Sequence, residues 1–177
     1  MQEPFETMLT GGHPNSLGRT VDVVDAVLAA PERFEELFGC YRSADEVVRL
    51  RTSSAMKRVE AERHDMLVPY IDRFIGEIGE LDQASAQWTL AQLFQRLAGD
   101  FTGLQRKGAL KILQRNIAEH GDWIVLNTTM ETLGDWAGAD AALKKWLRPH
   151  LKRLAGDARK SVAGRARKLL ARLYETS

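Results

Sequence analysis

The sequence predicts an all-α protein built from repeated helix pairs, and three observations lead there. Apolar residues recur at helical spacing nearly everywhere after residue 16, and no segment alternates convincingly with period two. Leu occurs 22 times and Ala 21 times, so strong helix formers pervade the chain. The 14 glycines and 5 prolines are too few for a turn-dense β-sandwich or barrel, which needs a turn every 8–12 residues. Composition is that of a globular chain, 44% hydrophobic and 28% charged, and 177 residues suit one domain.

Nine helices follow in order. The first spans about 17–29, with Val21, Val24 and Leu28 on one face. Pro31 suits the first turn of the second, where its missing N–H would be unpaired anyway; that helix presents Phe34, Leu37, Phe38 and Tyr41. Ser43-x-x-Glu46 reads as a capping box for a third helix of about 44–62. Asp65 caps a fourth of about 66–79, with Pro69 in its first turn. Asp82 opens a fifth of about 83–98, which Gly99 stops. Thr102-x-x-Gln105 is a second capping box, for a helix of about 103–119. Asp122, Asp140 and the Gly156-Asp157 turn then introduce helices of about 123–137, 141–155 and 158–175. The first helix is unpaired and is expected to cover the apolar end of the first repeat, over Phe34, Phe38 and Tyr41. Residues 1–15 are expected to be a flexible segment ahead of a single repeat domain over 16–177.

Alternate helices share one register. Thr52, Leu90, Leu126 and Ala166 begin it; the residues three, four and seven further on are apolar in nearly every case. The offsets of 38, 36 and 40 residues are near constant, and that period marks two-helix repeats. The run Ser43-Ala-Asp-Glu-Val-Val-Arg-Leu-Arg-Thr-Ser-Ser-Ala-Met resembles the second-helix signature of a HEAT repeat. Asp157-Ala-Arg-Lys-Ser-Val-Ala-Gly-Arg-Ala-Arg-Lys-Leu-Leu is similar, with Ala163 in place of the arginine. Pro149 resembles the proline that kinks the first helix of many HEAT units. The two middle units depart more, with Ala86-Gln87 and Asp122-Trp123 at the Val-Arg positions. The resemblance covers about residues 31–175, or four repeats. It implies a right-handed α-solenoid (α-α superhelix) of the HEAT/armadillo class, chiefly a binding scaffold without chemistry of its own.

Charge is unevenly spread. Residues 1–139 carry 14 Lys/Arg against 21 Asp/Glu, whereas residues 140–177 carry 11 against 3. The single cysteine, Cys40, excludes an internal disulfide framework. No signal peptide and no run of 18 apolar residues is visible, so a cytoplasmic protein without a membrane partner is expected. No GxSxG, GxxxxGK[ST], HExxH or CxxC occurs, and the four histidines never pair at i, i+4. Neither a catalytic site, nor a metal, nor a small-molecule cofactor is therefore expected.

Candidate binding residues come from the faces turned away from the register stripe. Trp136 and Trp146 fall on apolar stripes, whereas Trp88 points about 160° from Leu90 at 100° per residue, beside Gln92 and Gln95. Trp is enriched in binding hot spots. Basic residues also recur, at Arg51 and Arg165, at Lys168, and at Arg58, Arg96 and Arg172. The expected partner-binding set is Arg51, Ser54 and Arg58, then Trp88, Gln92 and Gln95, then Thr128 and Glu131, and finally Arg165, Lys168 and Arg172. A protein or peptide partner on the concave face of the solenoid is the leading expectation. Nucleic acid on a basic lane is the alternative, since such a lane can follow a phosphate backbone, and Arg165, Lys168 and Arg172 are expected to be exposed together.

Overall fold

The computed structural model describes residues 2–175, and every regular element among them is helical. Its α-helices are α1 (Phe5–Leu9), α2 (Thr20–Ala29), α3 (Phe34–Gly39), α4 (Glu46–Glu62), α5 (Ile71–Gly76), α6 (Ala84–Leu97), α7 (Gly103–Glu119), α8 (Trp123–Ala137), α9 (Ala141–Ala155) and α10 (Lys160–Leu170). The chain divides into two compact units, Met1–Thr89 and Leu90–Ser177, where the sequence predicts one domain. The division falls inside α6.

Caps explain most boundaries. Thr102 Oγ1 accepts from Gln105 N and Gln105 Oε1 accepts from Thr102 N, so the capping box that opens α7 forms as expected. Asp122 accepts from the Ile124 and Val125 amides at the start of α8, and Asp140 from Leu143 at the start of α9. Each satisfies backbone donors that a helix start leaves without partners. The start of α4 differs from expectation: Asp45, not Ser43, is the cap, accepting from Val47 N, while Ser43 Oγ accepts from Asp45 N. The helix expected over 66–79 is broken into short 3-10 turns around α5. Pro69 supplies no amide proton and biases Val68 away from α geometry, so no continuous ladder crosses this stretch. The last helix also ends early, α10 giving way to a π turn over Ala171–Glu175.

In the first unit α1, α2 and α4 pack on one another, and α3 adds an aromatic cluster. Phe38 stacks with Tyr41, Tyr70 and Phe74, and the Arg73 guanidinium lies 4.3 Å from its ring centre. Cys40 is buried beside this cluster, and burial, with Glu6 and Glu36 adding to it, pushes its thiol up to about 12. The second unit is layered more simply. There α8 packs against α7, α9 and α10, and α10 against α9. Thr132, fully buried in α8, donates to Ala91 O of α6 at 2.7 Å. Pro149 sits inside α9 and removes one rung of its ladder. The register residues are buried throughout, except Leu170, which is half-exposed.

The N-terminal segment is the largest departure from expectation. Residues predicted to be flexible hold α1, whose Phe5, Met8 and Leu9 are buried. Phe5 lies under the Arg33 guanidinium at 3.7 Å, and its amide donates to Glu36 Oε1. The following loop closes on Arg51, which is 2% exposed and meets no carboxylate. Its guanidinium donates instead to the main-chain oxygens of Leu9, Gly11, His13 and Ser16. Gly18 passes so close that a Cβ there would lie 2.8 Å from Arg51 Cζ, and its φ of +51° independently disfavours a side chain. Arg51→Met is expected to lower stability by ~2–4 kcal/mol, because four carbonyls lose a charged donor. Arg51→Lys should recover little of it, since an ammonium has three donors and no planar fork. Gly18→Ala should act in the same direction. Limited proteolysis checks all three: cleavage within residues 9–18 should accelerate while the second unit stays resistant.

Candidate functional site

The site emerges in the second unit from three helices. Asp122 starts α8 and so places Trp123 in the first turn, where its indole remains 49% exposed. One face of α8 then presents Asn127, Thr128 and Glu131. Helix α10 faces it with Ser161, Arg165 and Lys168, and α6 contributes Gln92 and Gln95. Gly134 lets α8 and α10 approach closely, for a Cβ there would fall 2.7 Å from Leu169 Cδ2. The result is a groove of about 560 Å³ running from Trp123 to Arg172, with a smaller recess of about 160 Å³ beside it. Asn127, Glu131 and Arg165 line both.

Three polar atoms at this groove are buried without a hydrogen-bond partner: Gln92 Oε1, Asn127 Oδ1 and Arg165 Nε. Each side chain is nevertheless held by other means or by its helix. Asn127 Nδ2 donates to Ser161 Oγ at 3.3 Å, and Arg165 Nη1 pairs with Glu131 Oε2. An unmet buried acceptor or donor costs ~1–3 kcal/mol, so most proteins leave few of them. Two acceptors and one donor without partners thus gather at one groove. Thr128 is already satisfied by the Ile124 and Val125 carbonyls of its own helix.

The charges around the groove are mixed. Arg165 pairs with Glu131, and Arg172 Nη2 reaches Asp135 Oδ1 at 3.2 Å, with Gln95 Nε2 on the other oxygen of Asp135. No acid on α10 itself neutralises these arginines, but α8 supplies both. Lys160 and Lys168 are exposed and have no carboxylate partner among the described residues. Lys168 and Arg172 are exposed and Arg165 is half-buried, so the three cations stand open together, two of them paired with acids of α8.

The expected binding residues thus separate. Gln92, Gln95, Thr128, Glu131, Arg165, Lys168 and Arg172 all line this groove or its recess. Ser54 and Trp88 belong to the first unit and line a different cleft there. Arg58 is exposed on α4 outside that cleft. Arg51 is a correction: it does not stand on an open basic lane, because residues 9–16 fold over it and their carbonyls accept its hydrogen bonds. The same register position is buried at Thr89 and Val125. Trp123 and Asn127 lie outside the binding set read from the sequence, where Trp123 is expected to pack against the preceding repeat from the first turn after Asp122. Trp123 carries a signal, a large aromatic directly after an N-cap aspartate, where the first turn turns outward. Asn127 carries none, since one polar residue next to Leu126 on an apolar helix has no distinctive pattern.

Among the described residues no cluster of three His, Cys, Asp or Glu could hold a metal ion, and no helix is long and apolar enough to cross a membrane. A scan against protein-family models matches none, and searches of curated proteins and of solved structures return no significant match. The fold and groove alone therefore define the class, an all-helical protein with a polar groove between packed helices. Gln92→Leu is expected to leave thermal stability equal or raise it by up to ~1 kcal/mol, because it deletes an unmet acceptor, and Asn127→Leu to be near neutral, since the unmet acceptor it deletes offsets the lost bond to Ser161. Thr132→Val should instead lower it by ~1 kcal/mol, the worth of its satisfied buried bond. Thermal melts of the three variants check the contrast.

Proposed function

We propose that the protein is a non-catalytic interaction scaffold of HEAT-like helix pairs, and that the groove between α6, α8 and α10 binds an extended, acidic peptide segment. The observation that carries this reading is the set of three unpaired buried polar atoms at one groove, beside a half-exposed tryptophan. A peptide main chain offers N–H donors to Gln92 and Asn127 and a carbonyl to Arg165. Trp123 supplies the kind of aromatic anchor on which binding energy concentrates. Lys160 and Lys168 at the rim favour a carboxylate on the partner. The packing of α8 against α10, two helices further along, supports stacked two-helix units.

Peptide is favoured over nucleic acid by the ion pairs. With Glu131 on Arg165 and Asp135 on Arg172, two cations of the expected lane are already neutralised, and phosphates would meet two carboxylates. Panning the full chain against a library of random linear peptides tests the proposal. Enriched sequences should be acidic, and their affinity should fall at least tenfold in Asn127→Leu and in the double variant Arg165→Glu, Lys168→Glu. Both variants should keep the wild-type circular dichroism spectrum. Selected peptides that bind these variants unchanged would overturn it. So would duplex DNA or RNA that binds the groove more tightly than any peptide, with the steep salt dependence of phosphate contacts.

A further inference from the structure

The first unit has a cleft of its own, and its composition is that of a small-ligand site. It encloses about 330 Å³ among residues 14–17, α4 and the start of α6. Pro14, Leu17, Leu50 and the half-buried Trp88 provide apolar walls. Arg51, Lys57 and the hydroxyl side chains Ser53, Ser54 and Thr89 provide the polar groups, and no aspartate or glutamate lines it. A few hundred Å³ of mostly apolar wall with several convergent polar groups is the usual make-up of a small-molecule pocket.

Two features make it more than a surface dent. The first is the state of Arg51. Its four hydrogen bonds all go to main-chain oxygens, so a residue that lines the cleft carries a full positive charge balanced only by carbonyl dipoles. A buried cation of this kind ordinarily has a carboxylate beside it. The second is Thr89, 1% exposed, whose hydroxyl has no partner. Helical threonines usually return their hydroxyl to the carbonyl three or four residues back. Thr52 does so to Val48 O at 2.7 Å and Thr128 to Ile124 O at 2.9 Å. Thr89 does not, and it lies where α6 borders the cleft. The hydroxyl is thus an unpartnered polar group on the wall of a cleft that Arg51 also lines.

We propose that this cleft binds a small organic anion. Its carboxylate or phosphate lies toward Arg51, Lys57 and Thr89, and a planar apolar body lies against Trp88. The charged end recovers the missing counter-ion in a partly dry site, where the attraction is much stronger than in water. The ring gains contact with the indole and Leu50. Ser54, one turn of α4 beyond Arg51, adds a hydroxyl to the same end. This inference does not rest on the peptide groove, which lies in the other unit.

Titration of the full-length ¹⁵N-labelled protein tests it, with the Trp88 indole N–H resonance assigned through Trp88→Phe. The probes are phenylacetate, phenyl phosphate, the neutral 2-phenylethanol and inorganic phosphate. A saturable shift of the Trp88 signal is expected with at least one aromatic anion, and the stronger of the two tells carboxylate from phosphate. The neutral alcohol and inorganic phosphate should bind at least tenfold more weakly, each lacking half of the recognition. Lys57→Gln and Thr89→Val should each weaken the better anion by about tenfold, the loss of one charge-assisted hydrogen bond, with an otherwise native spectrum. Should either variant fail to fold, Ser54→Ala provides the same readout. No saturable shift with either aromatic anion would overturn the proposal. So would equal binding of the neutral alcohol, or unchanged affinity in the folded variants.

Discussion

Helices enclosed on more than one side carry polar residues inward here, and satisfying those residues shapes both units. Ten of the fifteen residues of α8 are buried, and α4 likewise hides Arg51, Thr52, Ser53 and Glu60 along with its apolar stripe. Once such residues are inside, each needs a partner supplied by a neighbouring segment. Thr132 finds a carbonyl on α6, Tyr41 meets Ser53 at 3.1 Å, and Arg51 finds the loop after α1. Of the groups left without a partner among the described residues, Thr89, Gln92, Asn127 and Arg165 border clefts, whereas Thr129 and Trp136 line none of these clefts. Where the enclosing layer is incomplete, four of these polar residues are left without a partner at the wall of a cleft.

The same constraint decides what was legible in the sequence. Element boundaries set by local chemistry were plain: Thr102 with Gln105, Asp122 and Asp140 cap helices where the pattern says they should. The register stripe was plain too, because apolar periodicity reports the side of a helix that is always buried. The opposite side was not, since the pattern cannot tell a polar residue facing water from one facing another segment. Arg51 and Lys168 both read as cations off the stripe, yet one is sealed in and the other is solvated. The helix over 66–79 was misread for a simpler reason. Its apolar spacing suits a helix, but Pro69 cannot sustain the ladder within it.

The groove residues show a related asymmetry. Gln92, Gln95 and Glu131 could be selected by counting positions around a helix, as could the cations of α10. That count could not show that α8 supplies acids to α10, because Glu131–Arg165 and Asp135–Arg172 join residues more than thirty positions apart. The basic C-terminal stretch consequently looks far more positive in the sequence than it does at the groove.

The way Arg51 is held has a consequence for how this chain can vary over evolutionary time. An arginine paired with a glutamate can be exchanged along with its partner, and the exchange leaves a correlated trace between two columns of related sequences. Arg51 is held by main-chain oxygens, which every residue possesses, so it has nothing to trade. The anchor persists with no single side chain opposite it, and an arginine together with Gly18 would remain fixed with no partner column to betray why.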